Sequence, residues 1–159
     1  IAASGRTPYT IAAVEYARRQ GATTGCVVCN RGSQLAAAVD LPIEIEVGAE
    51  VVSGSTRMKA GTAQKLALNM ITTGAFTRLG YIYDNLMVNV KLSNEKLVER
   101  GIGIVREILG VSREQAEAAL RQAENHVPTA LVMLKRGVSA EEAKQRLADA
   151  RGNVRVAMR

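Results

Sequence analysis

The sequence has no tryptophan and a single phenylalanine, and aromatic residues make up only 3% of it. Such scarcity argues against the aromatic platforms on which proteins stack single-stranded nucleic acid. Long apolar runs are missing too. None approaches the roughly 20 residues that span a bilayer, so no membrane partner is expected. The opening residues Ile1-Ala2-Ala3-Ser4-Gly5-Arg6 lack the basic segment and apolar stretch of a secretory signal. Charge of one sign is not concentrated either. The net charge is +6, but residues 1–110 hold 12 basic against 9 acidic side chains and residues 111–159 hold 9 against 6. A mildly basic surface is the expectation, not a nucleic-acid footprint.

Cysteine is confined to Cys26-Val27-Val28-Cys29. A redox C-x-x-C opens a helix, whereas this one lies in a β-branched run that reads as a strand. Residues three apart on a strand point to opposite faces. The pair is therefore expected as two buried small hydrophobes in a reducing, cytoplasmic setting. The only histidine, His126, stands at a predicted helix start with neither cysteine nearby in sequence. It reads as a surface or capping residue, and no metal or other cofactor is expected.

What is present is ordinary globular composition: 159 residues, 47% hydrophobic and 23% charged. Ile1-Ala2-Ala3 reads as the tail of a strand, and the absence of an initial Met points to a piece of a longer protein. Thr7-Pro8 marks a helix start, running to about Gln20 with Ile11, Val14 and Ala17 on one face. A buried strand is predicted at about 24–29. Ser33 caps a short helix to about Val39. The alternation in Leu41-Pro42-Ile43-Glu44-Ile45-Glu46-Val47, with a proline at its start, predicts a strand near a sheet edge, Ile43, Ile45 and Val47 facing inward. Glu44 and Glu46, about 7 Å apart on one strand face, read as solvated charge. Alternating strands and helices imply a parallel sheet with covering helices. A long helix is predicted from about Arg57 to Leu79, capped by Ser55 or Thr56, with Leu66, Met70, Thr73 and Phe76 inward. Residues 81–93 read as irregular or as including a short strand at 86–90, and Asn94 then caps a helix to about Leu109 with Leu97, Ile102, Val105 and Leu109 inward. Residues 111–159 read as three short helices, two of them opened by the capping boxes Ser112–Gln115 and Ser139–Glu142, with a final turn after Gly152.

Two segments carry candidate chemistry. In Ser4-Gly5-Arg6-Thr7-Pro8 a strand end meets a helix N-terminus, where hydroxyls, backbone N–H groups and the helix dipole together suit a phosphate. The same residues also serve as a plain turn and cap. In Gly48–Lys65, three hydroxyls precede a helix whose first turn holds Arg57 and Lys59. Cations there are disfavoured by about 0.3–1 kcal/mol each, so an anion or carboxylate to meet them is expected; solvent exposure is the alternative. Gly61, inside the helix, suggests the close approach of another element or a ligand.

Gly48 to Lys65 resembles, position for position, the signature shared by N-acetylmuramic acid 6-phosphate etherases and the glucokinase regulatory protein. Ala3–Tyr9 is similar to the second phosphosugar loop of the etherases. Asn85–Val88 with Asn94–Leu97 is similar to the stretch that follows their long helix, and residues 111–159 resemble their ubiquitin-associated-type three-helix bundle. The resemblance implies a sugar isomerase (SIS) domain, an α/β fold with a doubly wound parallel sheet, over 1–110, followed by the small bundle over 111–159. It implies an amino-sugar 6-phosphate as ligand, a homodimer, and cleavage of the D-lactyl ether of N-acetylmuramic acid 6-phosphate without a metal. Carried across residue by residue, Ser4, Gly5 and Thr7 match the phosphate loop. Glu50, Ser55, Thr56, Arg57 and Lys59 match the signature. The resemblance places the catalytic acid and base upstream of Ile1, with Glu50 as a lesser candidate. The other class of function it admits is a non-catalytic phosphosugar sensor of the glucokinase-regulator type.

Overall fold

A computed structural model describes residues 1–159, which pack as two compact units, Ile1–Thr72 and Thr73–Arg159. The first is mixed α/β. Helix α1 (Pro8–Arg19) is followed by strand β1 (Gly25–Val28), the one-turn helix α2 (Gln34–Ala38) and strand β2 (Leu41–Glu44). The two strands pair in parallel, Gly25 opposite Leu41 and Val28 opposite Glu44. Residues 1–3 run along the other side of β1 in the same direction. The Ala2 N–H donates to the Val27 carbonyl at 3.1 Å and the Cys29 N–H to the Ala3 carbonyl at 2.8 Å. The strand-tail reading of Ile1–Ala3 holds in that sense.

The core of this unit is small. Cys26, Val28, Leu35, Ala36 and Val39 are buried, with Ala2, Ile11 and Val14 packed on them. Both cysteines are free and buried, as expected of small hydrophobes. Ser33 caps α2, its hydroxyl accepting from the Ala36 N–H at 3.2 Å. Strand β2 departs from its sequence pattern, because all four of its residues are exposed and Ile43 does not face a core. Glu44 is no free surface charge: its carboxylate accepts from the Gly32 N–H at 2.6 Å and ties the turn after β1.

Helix α3 (Lys59–Arg78) buries only Ala60 and Ala67. Leu66, Met70 and Phe76, predicted as an inner face, are exposed at 50, 68 and 48%. Leu68, Ile71 and Leu79 are exposed as well. Apolar and polar side chains are mixed around the helix, so the 3.6-residue periodicity held no single stripe to read. The division between the compact units falls inside this helix.

The second unit is helical except for one hairpin, β3 (Ile82–Tyr83) paired antiparallel with β4 (Leu86–Met87). Five helices follow: α4 (Glu95–Leu109), α5 (Arg113–Gln122), α6 (Val127–Arg136), α7 (Ala140–Asp149) and α8 (Val154–Ala157). Asn94 caps α4 through the Leu97 N–H at 2.9 Å. Ser112 and Gln115 complete a reciprocal capping box on α5, while Ser139 makes only the hydroxyl half of the second box. Helices α4 to α8 share one core with Val88 and Val90, in which Leu131, Val132, Val105 and Val127 are fully buried. Because α4 turns Ile102, Ile104 and Val105 into this core, it packs with the helices after residue 110. No helix is long and apolar enough to cross a membrane.

Candidate functional site

The Ser4–Pro8 loop is shaped by Gly5, which has φ of +64°. A Cβ there would lie 2.3 Å from Ser33 Oγ and 2.6 Å from Ser33 Cβ. Only glycine allows this loop to sit against the start of α2, where the Gly5 carbonyl accepts the Leu35 N–H at 2.9 Å. Thr7 stands at the N-cap position of α1, yet its side chain makes no capping bond. Ser4 Oγ accepts only a long contact, 3.4 Å, from the Arg6 N–H. The Thr7 hydroxyl is thus not spent on the helix, which removes the plain side-chain cap as its explanation.

A cavity of about 240 Å³ opens beside the carboxyl ends of the first two parallel segments. Ala3, Cys29 and Asn30 form one side of it. Val47 to Glu50, Ser53, Gly54 and Thr56 form the other, and Ala60 closes it. Carboxyl ends of parallel strands are where open α/β sheets hold ligands. The volume falls below the 300–1,000 Å³ usual for a whole small-molecule site. The Cys29 thiol faces the Ala60 carbonyl at 3.7 Å. Burial, and next the Glu50 charge, push its pKa up, so it lines the wall as a neutral group.

Glu50 is the best-defined residue of the site. Its two carboxylate oxygens accept the Lys59 N–H at 3.0 Å and the Ala60 N–H at 3.1 Å, the first two amides of α3. Those bonds, the Ala60 N–H first, hold its carboxyl below the usual carboxylate range, and the Lys59 charge adds to the effect. This differs from the cap predicted at Ser55 or Thr56. A hydroxyl cannot match a carboxylate that serves two adjacent N–H groups at the positive end of a helix dipole. The helix also begins at Lys59, so Arg57 lies in the preceding turn and not in the first helical turn. The carboxylate at this helix start is the chain's own, and it serves the backbone N–H groups of Lys59 and Ala60, not the Arg57 or Lys59 side chains. Gly61 has only the Thr56 carbonyl near it, at 3.9 Å, and shows no tight approach.

Of the residues singled out from sequence, Glu50 and Thr56 line the cavity together. Ser55, Arg57 and Lys59 do not, and Ser4, Gly5 and Thr7 enter it only through their neighbour Ala3. Sequence reasoning missed Asn30, and among the three hydroxyls ahead of α3 it did not single out Ser53. Asn30 was findable, since it directly follows the β1 region at its carboxyl end; its amide reaches the Ala3 carbonyl at 3.4 Å. On α3, one turn beyond Ala60, Gln64 Nε2 is buried without a hydrogen-bond partner. In the second unit, His126 precedes α6 without capping it, its Nδ1 2.7 Å from Thr129 Oγ1. Burial and then the Lys144 charge lower its pKa.

Residues 84–124 match the family model of the C-terminal lid domain of glucokinase regulatory protein. Over 158 residues, 99% of the chain, the sequence is 54% identical to N-acetylmuramic acid 6-phosphate etherase 1 of Vibrio cholerae serotype O1, covering 53% of that protein. It is 54% identical to the N-acetylmuramic acid 6-phosphate etherase of Photobacterium profundum, covering 52% of it. The etherase of Yersinia pestis strain Pestoides F is 52% identical, with 54% of its length covered. The chain is thus a sequence relative of the N-acetylmuramic acid 6-phosphate etherases along its whole length, and it spans about half the length of the curated relatives it matches.

Proposed function

We propose that this chain is the phosphosugar-binding portion of a carbon–oxygen lyase that cleaves N-acetylmuramic acid 6-phosphate to N-acetylglucosamine 6-phosphate and D-lactate, a step of cell-wall amino-sugar recycling. The observation that carries the reading is the cavity at the carboxyl ends of parallel strands, walled by the Gly48–Thr56 segment, in a chain 52–54% identical to etherases. Ser4, Gly5 and Thr7 form the phosphate loop, with the uncapped Thr7 hydroxyl as a donor. Glu50 and Thr56 stand in the second wall, and Ser55, Arg57 and Lys59 follow in the same segment without lining the cavity. The reaction removes the proton next to the sugar carbonyl, expels lactate from the adjacent carbon and adds water. It needs a base for the proton and an acid at the ether oxygen. With both its oxygens committed to α3, Glu50 fits neither role, and the reading places that pair in a segment preceding Ile1. In the same reading, residues 1–110 belong to a doubly wound SIS domain, residues 111–159 form a ubiquitin-associated-like bundle, and the protein is a cytoplasmic homodimer.

The test is D-lactate release from N-acetylmuramic acid 6-phosphate by the intact protein and by the 159-residue chain alone. The intact protein turns over and the isolated chain is inert; turnover by the isolated chain at the intact rate refutes the placement of the acid and base. The lid-domain match over 84–124 supports a second reading, a phosphosugar sensor. Phosphosugar binding by the intact protein without lactate release selects it.

A further inference from the structure

We propose that Glu50 is a positioning residue of the phosphosugar site: a carboxylate latch that locks the Gly48–Thr56 loop to α3 and thereby places Ser53 and Thr56 at the cavity. This inference rests on the functional reading above.

The loop has little else to hold it. It contains no strand or helix, and Val51 and Val52 are exposed at 89 and 67%. Among backbone bonds it has the turn from the Ser55 N–H to the Val52 carbonyl, at 3.0 Å. The two Glu50 bonds, by contrast, join residues nine and ten positions apart. They close the loop onto a 20-residue helix. The cavity wall lies on both sides of that closure, with Val47–Glu50 before it and Ser53, Gly54 and Thr56 within it. Releasing the latch therefore frees the two hydroxyl-bearing residues that face the ligand. The bidentate arrangement leaves neither oxygen idle for proton transfer, and the lowered proton affinity of the carboxyl accords with a permanently charged latch. Glutamate is the side chain the geometry demands. Glutamine keeps one acceptor but offers an N–H to the other amide, and aspartate is one methylene short of reaching both.

The experiment uses the intact protein with N-acetylmuramic acid 6-phosphate as substrate and compares Glu50→Gln, Glu50→Asp and Glu50→Ala by steady-state kinetics across pH. Positioning predicts a KM raised about tenfold in the glutamine and aspartate variants and about a hundredfold in the alanine variant, since each displaced hydroxyl forfeits a hydrogen bond to a charged ligand, about tenfold or more in affinity. It predicts kcat within about threefold of wild type and both limbs of the pH profile retained. A kcat loss of about 10²–10⁴ with one limb abolished makes Glu50 an acid or base and overturns the proposal. Unchanged KM in all three variants, with only a lowered melting temperature, makes it a plain helix cap and overturns it equally. Should the alanine variant fail to fold, the glutamine and aspartate variants decide between these outcomes. If wild type releases no lactate, dissociation constants for N-acetylglucosamine 6-phosphate replace KM; wild type that neither turns over nor binds refutes the functional reading and this one together.

Discussion

Replacing Gly5 with alanine isolates the contact that seats the Ser4–Pro8 loop. Two costs add. The left-handed backbone at φ +64° costs a residue with a Cβ roughly 1–2 kcal/mol. The new methyl would also lie 2.3 Å from Ser33 Oγ and 2.6 Å from Ser33 Cβ, so something must move. Ser33 is poorly placed to give way, because its hydroxyl caps α2. Overpacking of this kind costs about 1–3 kcal/mol. Alanine recovers about 0.4–1 kcal/mol through the less flexible unfolded chain. The net is a loss of about 1–5 kcal/mol in the first unit. Gly21→Ala is the control: its φ is +80°, but nothing lies within 4 Å of the added methyl, so it bears strain without a clash. Cys26 and Cys29 report on this unit directly, being free, buried and the only thiols in the chain. Their labelling under native conditions follows opening of the unit. A 2 kcal/mol loss raises that rate about thirtyfold. Equal labelling rates in Gly5→Ala and Gly21→Ala would refute the claim that the approach to Ser33 requires glycine.

Gln64→Met should stabilise this chain by about 1–3 kcal/mol, since it removes a buried donor without a partner; a lowered urea midpoint would show that Nε2 is satisfied after all. Leu131→Ala, at a fully buried position of α6, should cost about 2–5 kcal/mol in thermal unfolding, and a loss under about 1 kcal/mol contradicts the packing of the second unit. The Glu50 latch should weaken in acid. Its folded-state pKa is depressed, so its contribution is complete above the ordinary carboxylate range and is lost as pH falls through the folded value. Hydrogen exchange at the Lys59 and Ala60 amides, corrected for the intrinsic rate, should lose protection over that acidic window; protection independent of pH there rules the latch out.

Local chemistry alone determined much of this protein. The caps at Ser33, Asn94 and Ser112, the glycine stop at Gly137 and the proline start at Pro8 each act within a few residues, so they are legible without a fold. The signature from Gly48 to Lys65 pointed to the etherases because eighteen side chains in fixed order hold more information than any periodicity. Only the tertiary structure decided which groups of that signature meet the cavity. Glu50 reaches the start of α3 nine positions along the chain, across irregular loop, and no local rule marks such a closure. The inward faces of β2 and α3 failed as predictions for a related reason. Aliphatic residues record that a surface is to be covered, but not by what, and Ile43, Leu66, Met70 and Phe76 stand exposed in this chain. Likewise the apolar stripe of α4 was plain in sequence, while its choice of α5 and α6 as partners depended on which apolar faces lay opposite it.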